Sequence, residues 1–127
     1  MKVNKYYFDV AIQFESDYDV SNLEKLLGVK PNLLVQLKDS KGLNKTAKFT
    51  YKSKIYDEID TAGEFENFLK ENLERLEKVL PVVKANKGKI TLYIVFTQIE
   101  DKPVLYLSSE TLKLLAKLDV DFEIDYA

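Results

Sequence analysis

The sequence predicts one α+β domain over residues 1–127, in which three helices cover one face of a largely antiparallel sheet of about six strands. Two observations support this class. Several segments alternate apolar and polar residues, as strands with one buried face do. The segment TAGEFENFLKENLERLEKVLP instead repeats apolar residues every three or four positions, which is typical of an amphipathic helix. The predicted order is βαββαββαβ, and ferredoxin-like domains with their split βαβ arrangement are the nearest common architecture.

The first third of the chain predicts a strand followed by a short helix. In KYYFDVAIQF, alternate residues form one apolar face: Tyr6, Phe8, Val10, Ile12 and Phe14. This period of two is typical of a half-buried strand. Ser21 and Glu24 then have the spacing of a capping box for the helix NLEKLL, and Gly28 is placed to end that helix.

The middle third predicts a hairpin and the longest helix. LLVQLK follows Pro31 as a strand, DSKGLNK forms the turn, and KTAKFTYKS returns as the next strand. Thr61 and Glu64 make a second capping box at the start of the long helix, and Pro81 is expected to end it. The Leu- and Phe-rich stripe of this helix is expected to rest on the sheet.

The last third predicts two strands, a helix and a terminal strand. KGKITLYIVFTQI is apolar on both faces, which indicates a central strand, and PVLYL is predicted as the next strand. A helix opens at Ser108 or Ser109, with three leucines inward: Leu112, Leu115 and Leu118. The terminal strand is predicted to turn these residues inward: Val120, Phe122, Ile124 and Tyr126.

Two parts of the chain have the same plan. AIQFESDYDVSNLEKLLGVKP and LYLSSETLKLLAKLDVDFEID each contain a strand, a polar turn, a short capped helix and a strand that begins with valine. This pattern predicts an internal duplication of a βαβ unit, over about residues 5–38 and 103–126. Equal architecture without common descent is the alternative explanation.

Composition excludes several classes of partner and compartment. The net charge of −2 and the pI near 5.3 argue against nucleic acid, which is bound mainly through Lys and Arg. The basic stretch from Lys38 to Lys54 is interpreted as a hairpin whose lysines protect a strand edge. The absence of cysteine indicates a reducing cytoplasm, and the alternating N-terminus does not resemble a signal peptide. No apolar run is long enough to predict a membrane span.

The residue inventory also restricts catalysis. The chain contains no histidine and no cysteine, so it lacks the residues of Ser-His-Asp and Cys-His catalysis and the ligands that zinc prefers. We therefore expect no enzymatic activity, no cofactor and no metal site. Carboxylate or metal-dependent chemistry would depend on acids such as Asp17 and Asp19, which follow the first strand in a loop.

The C-terminal segment KLDVDFEIDYA carries an acid at every second position. Same-face neighbours in a strand lie about 6.5 to 7 Å apart, which is too wide for two of them to share one metal ion without a third ligand from elsewhere. Strict alternation is what a terminal strand with one solvated face requires. The sequence nevertheless makes Asp121, Glu123 and Asp125 candidates for binding a partner by charge.

Two tyrosines add to this set. Tyr51 and Tyr56 are predicted at strand ends or loops, where aromatic side chains are often part of a recognition surface. The candidate binding residues are Asp17, Asp19, Tyr51, Tyr56, Asp121, Glu123 and Asp125.

The order of segments resembles a known family. LEKLLGVKP with its Leu27-Gly28-Val29 and Pro31, FTYKS, a Leu-rich helix and the ending LSSETLKLLAKLDVDFEIDYA are similar to domain-of-unknown-function family 4279, over essentially the whole chain. That family usually has tryptophan where this chain has Tyr51. The family carries no established activity, so the resemblance implies a stand-alone α+β domain of the bacterial cytosol and assigns no catalytic residue.

The function predicted first is a non-catalytic protein-interaction module with an acidic, tyrosine-bearing surface. A concrete version is an immunity or antitoxin-like protein whose carboxylates meet a basic toxin. The alternative is a small-ligand-binding domain with a pocket near Tyr51 and Tyr56. A carboxylate-based or metal-dependent enzyme is the third hypothesis.

Overall fold

A computed structural model describes residues 4–57, 60–100, 103 and 105–127. The protein is an α+β domain with one six-stranded sheet and three helices, which confirms the predicted fold class. In chain order the elements are β1 (Lys5–Phe14), α1 (Asn22–Leu27), β2 (Leu33–Val35), a 3-10 helix (Leu37–Asp39), β3 (Ala47–Lys52), β4 (Tyr56–Asp57), α2 (Thr61–Ala85), β5 (Gly88–Gln98), α3 (Ser109–Leu118) and β6 (Asp121–Tyr126).

The sheet is built around β1. The strand order is β2-β3-β1-β5-β6, and β4 pairs with the beginning of β1. β1 is antiparallel to β3, β4 and β5, and β2 is antiparallel to β3. β6 alone among the described strands pairs in parallel, with β5, and α3 supplies the crossover that a parallel pair needs. As predicted, β5 is paired on both sides.

The core lies between the sheet and α2. All five predicted inward residues of β1, from Tyr6 to Phe14, are fully buried. α2 contacts both β1 and β5, and α1 and α3 each pack against α2. Four residues of the predicted stripe of α2 are buried: Phe65, Phe68, Leu69 and Leu76. Two others, Leu73 and Leu80, are only partly buried, and Val79 is buried beside them.

The starts of α1 and α2 differ from the prediction. Ser21 makes no side-chain cap bond in α1, so the capping box with Glu24 is wrong. In α2 the N-cap is Asp60, whose Oδ1 accepts the N–H of Gly63 at 3.1 Å. The predicted box of Thr61 and Glu64 is therefore wrong, because Thr61 is the first residue of the helix and not its cap; the Glu64 carboxylate instead accepts the hydroxyl of Tyr6.

The predicted end of α2 is also wrong. Pro81 lies inside the helix, which continues to Ala85. Proline removes one backbone donor from the helix and costs stability. The last turn persists because Val79 and Val83, on either side of Pro81, are both buried in the core.

Two of the predicted strands differ from the structure. LLVQLK forms a strand only over Leu33–Val35 and then becomes the 3-10 helix. In PVLYL, residues 103 and 105–107 form no strand, and Val104 lies outside the described residues. The sixth strand is instead β4, whose two residues are too few to show a periodicity.

In the C-terminal helix, one of the residues predicted to lie inward is exposed. The Ser108 hydroxyl caps α3 by accepting the N–H of Thr111, and Leu115 and Leu118 are buried as predicted. Leu112 is 52% exposed, so its inward prediction is wrong; Thr111 takes the inward position and donates to Glu66 at 3.2 Å.

β6 keeps its predicted alternation. Phe122 packs on Phe65, with ring centroids 5.0 Å apart. Ile124 and Tyr126 stay 39% and 59% exposed, so their predicted burial is wrong. β6 is the last strand of the sheet, so neither residue has a described strand on its outer side.

Residues 5–38 contribute β1, α1, β2 and the start of the 3-10 helix, and residues 103–126 contribute α3 and β6. The internal duplication of these two segments stays a prediction. None of the helices in the described ranges combines the length and the hydropathy needed to cross a lipid bilayer.

We predict that Asp60→Ala lowers the free energy of unfolding by about 1 kcal/mol, because the N–H of Gly63 loses its acceptor. Chemical denaturation measures this difference. Asp60→Ser should keep most of the stability, since serine is an equally good N-cap residue. Equal stability of the alanine variant and the wild type would contradict this assignment of the cap.

Candidate functional site

In the described part of the chain, no helix covers the side of the sheet opposite α2. We call this surface the open face. It consists of alternate residues of five strands: Tyr7, Asp9, Ala11 and Gln13 of β1; Leu33 and Val35 of β2; Lys48, Thr50 and Lys52 of β3; Lys89, Thr91, Tyr93 and Val95 of β5; and Asp121, Glu123 and Asp125 of β6.

The strand register places four polar residues of the open face in one row. Asp9 lies directly opposite Lys52 of β3 and directly opposite Tyr93 of β5. Tyr93 in turn pairs with Glu123 of β6. Directly paired side chains on one face have Cβ atoms about 4.5 to 5.5 Å apart, so the members of the row are neighbours on the sheet surface.

Small residues make the middle of the open face concave. Ala11, Thr50 and Thr91 form a neighbouring row, and each is at most 9% exposed although no helix lies over them. Larger neighbours shield them, and the resulting depression has a volume of ≈ 260 Å³. Its wall includes Tyr7 and Asp125.

Charge and burial act together around this depression. Partial burial raises the pKa of Asp9, and the nearby ammonium groups of Lys52 and Lys48 only reduce that effect. Burial raises the pKa of Tyr7, and the charges of Asp9 and Asp125 raise it further. The Tyr7 phenol therefore stays neutral at physiological pH and keeps its O–H donor.

Tyr93 has a similar environment. Burial raises its pKa first, followed by the charges of Glu123, Asp9 and Asp125. The charges of Asp9 and Asp125 thus act on both phenols, and that of Glu123 acts on Tyr93. We call this group the acid–aromatic cluster: Tyr7, Asp9, Tyr93, Glu123 and Asp125.

The opposite side of the open face is basic. Lys48 and Lys52 extend from β3, and the Lys52 ammonium lies 5.1 Å from the centroid of the Tyr7 ring. This is a cation–π contact, which stabilises an ammonium near an aromatic face. The open face therefore runs from carboxylates on β6, past the tyrosines, to lysines on β3, and it ends at Leu33 and Val35 of β2.

The predicted residues of the terminal strand belong to this surface. Asp121, Glu123 and Asp125 lie on the open face as their alternation predicts, and Asp125 reaches the depression. Sequence reasoning missed Tyr7, Asp9 and Tyr93 as site residues. The polar alternation of β1 indicated the first two, whereas the position of Tyr93 opposite Asp9 depends on a strand register that only the fold supplies.

The predicted tyrosines lie elsewhere. Tyr51 is buried on the helix side of β3, where its hydroxyl donates to Asn72 Oδ1 at 3.0 Å and burial raises its pKa. Tyr56 stacks on Tyr6 at 5.6 Å and holds the Lys54 ammonium over its ring. Both line a groove of ≈ 310 Å³ between β3 and α2.

The predicted loop acids form a third location. Asp17 and Asp19 line a depression together with Gln36. The Asp19 carboxylate accepts hydrogen bonds from the Ser21 hydroxyl at 2.6 Å and from Gln36 Nε2 at 2.6 Å. These bonds, that from Ser21 first, lower the pKa of Asp19. Asp19 thereby connects the start of α1 to the segment after β2, and a binding role for either acid stays a prediction.

The described residues contain no group of three acids close enough together to hold a metal ion. The seven predicted binding residues lie in three separate places: the depression beside α1, the groove between β3 and α2, and the open face. Among these three, only the open face combines aromatic rings with several carboxylates.

Fold and site together define an α+β domain with helices on one face of the sheet and a polar, aromatic surface on the other. Residues 4–127 match the family described as Domain of unknown function (DUF4279). The chain belongs to this family, which confirms the resemblance found in its sequence. No curated protein and no solved structure matches the chain.

We predict that Asp9→Asn raises the melting temperature at pH 7. The raised pKa of Asp9 means that its ionised form destabilises the native state. This cost is absent below the ordinary aspartate pKa of about 3.9, where the group is neutral whether folded or unfolded. It grows as pH rises from that value to the raised native pKa and is constant above it. The gain in melting temperature should therefore disappear at about pH 3.

Calorimetry at both pH values measures this gain, with the exposed Asp17→Asn as the matched control. A lower melting temperature for Asp9→Asn at pH 7 would mean that attraction to Lys52 and Lys48 outweighs the cost of burial.

Proposed function

We propose that this protein is a non-catalytic interaction module of the bacterial cytoplasm, which binds a basic protein partner through its open face. The observation that carries the proposal is the acid–aromatic cluster on a sheet face that no described helix covers. The remaining support comes from the composition of the cluster, its internal cation and the acidity of β6.

The cluster has the composition of a recognition surface for cationic side chains. Tyrosine supplies a large contact area at low entropic cost, and its ring face attracts cations. Carboxylates supply charge-assisted hydrogen bonds to Lys or Arg. The depression between Tyr7 and Asp125 offers space for one such side chain. The Lys52 ammonium over the Tyr7 ring is an internal example of the contact that a partner would make.

The partial burial of Asp9 also supports a binding role for the open face. The Asp9 carboxylate is kept on the open face although partial burial disfavours its charge. Groups retained against their own environment are concentrated at functional sites, because selection for binding tolerates a cost in stability. A partner cation beside Asp9 would offset this cost in the complex.

An immunity or antitoxin-like protein is the concrete form of this proposal. Such a protein neutralises a toxin by binding it, and it needs fast association more than catalysis. The net charge of −2 and the row Asp121, Glu123 and Asp125 would speed the approach of a basic toxin.

Binding of a small ligand is the second candidate. The groove beside Tyr51 and Tyr56 is lined by Lys30, Lys54 and Arg75, which favours an anionic ligand. Much of its polar wall is already engaged within the chain, since Asn72 Oδ1 accepts both the Tyr51 hydroxyl and Arg75 Nη1.

The proposal predicts that the triple variant Asp121→Asn, Glu123→Gln, Asp125→Asn loses its partner. Tagged protein is incubated with lysate of its own cells at low salt, and retained proteins are quantified by mass spectrometry. We expect the wild type to retain a basic protein in stoichiometric amount, and the triple variant to retain about tenfold less or lower. The wild type should also lose it at about 1 M salt, where charge screening acts within about 3 Å.

The matched control removes three negative charges from the exposed surface of the helices: Glu24→Gln, Glu74→Gln and Glu110→Gln. This control should retain the partner, since it changes the net charge equally and leaves the open face intact. Equal retention by both triple variants would contradict the proposal. Retention of no protein at either salt concentration would also contradict it and would favour a small ligand.

A further inference from the structure

β6 has an outer edge with no strand beside it. It is the last strand in the sheet order, and within the described ranges β5 is the one strand that pairs with it. Such an edge presents backbone N–H and C=O groups that can pair with another chain.

The pairing of β6 with β5 shows which backbone groups point outward. The N–H of Ala127 donates to the Phe96 carbonyl of β5 at 3.0 Å. Alternate residues of a parallel strand direct their backbone groups to opposite sides, so those of Phe122, Ile124 and Tyr126 point to the outer edge. In agreement, the N–H of Tyr126 donates to the side chain of Asp125 at 2.9 Å instead of to a strand.

The two faces of this edge differ in chemistry. On the open face it carries three exposed carboxylates, those of Asp121, Glu123 and Asp125. On the helix side Ile124 and Tyr126 are partly exposed, with no described residue covering them completely. An added strand would cover this apolar surface and place its other face beside the carboxylates.

We propose that β6 binds an extended segment of a partner protein, which adds a strand to the sheet and alternates basic with apolar residues. Lys or Arg side chains of the segment lie opposite Asp121, Glu123 and Asp125, and its apolar side chains cover Ile124 and Tyr126. Strand addition gives affinity through backbone hydrogen bonds and specificity through alternate side chains. The inference rests on the proposed function and adds the form of the partner.

The charge of β6 favours a basic partner segment over a second copy of the chain at this edge. Two β6 strands paired edge to edge would place carboxylates of one copy opposite carboxylates of the other, and like charges in direct cross-strand pairs are destabilising. A basic segment reverses the sign of each pair. The same three carboxylates therefore oppose self-association and favour a basic partner.

The test uses the full chain and the synthetic peptide Lys-Val-Lys-Val-Lys-Val-Lys. Titration followed by amide NMR should shift signals of β6 and its neighbour β5, and calorimetry gives the dissociation constant. The triple variant Asp121→Asn, Glu123→Gln, Asp125→Asn should bind about tenfold more weakly or worse, and the helix control Glu24→Gln, Glu74→Gln, Glu110→Gln should bind like the wild type.

Two N-methylated peptides separate strand addition from simple charge attraction. One is methylated on the valine nitrogens and the other on the lysine nitrogens, so both keep the same charge. In an added strand only alternate N–H groups point toward β6. One of the two peptides should therefore lose binding at least about tenfold while the other binds normally, and the peptide that fails identifies the strand direction.

Equal affinity of the two methylated peptides would overturn strand addition and leave the charge-based interaction standing. Absence of peptide binding would also overturn it, even where the open-face carboxylates prove necessary for retaining a partner from lysate. A stable dimer in analytical ultracentrifugation, lost on Ile124→Lys, would overturn it in favour of a second copy of the chain.

Discussion

The structure depends on the one-sided burial of β1. This strand lies in the middle of the sheet, and its alternate side chains from Tyr6 to Phe14 fill the core under α2. Because strand side chains alternate strictly, the intervening residues, Tyr7 and Asp9 among them, must lie on the open face. A slip of one residue would exchange the two sets, so burial of the core also fixes the candidate site.

The site arises from register more than from any local motif. Asp9 acquires its neighbours because Tyr93 and Lys52 pair with it across two ladders. Glu123 joins them because the parallel pairing of β6 with β5 places it opposite Tyr93. Helices on one face alone leave this row accessible. The proposed function depends on this asymmetry, since one face stabilises the domain and the other presents aromatic rings and charge.

The sequence predicts an element correctly where its periodicity extends over many residues. It fails where a contact with a residue distant in the chain determines the local structure. The alternating residues of β1 predicted a strand and the apolar stripe of α2 predicted a helix, because each pattern extends over many residues. The cap of α2 was not predicted correctly, because Asp60 and Thr61 are neighbours that both suit an N-cap, and the structure uses Asp60. Pro81 was expected to end a helix that the burial of Val83 prolongs. Likewise, the acids of β6 were visible in the sequence, whereas their proximity to Tyr93 required the parallel register.

The most direct test of the account is site-specific photo-cross-linking in the cells that make the protein. A photoreactive phenylalanine analogue replaces Gln13 on the open face in one variant and the exposed Glu74 of α2 in another. We expect a discrete cross-linked protein from the open-face position and none from the helix position. A cross-link from Glu74 alone would show that the partner binds the helix side and would contradict binding through the open face.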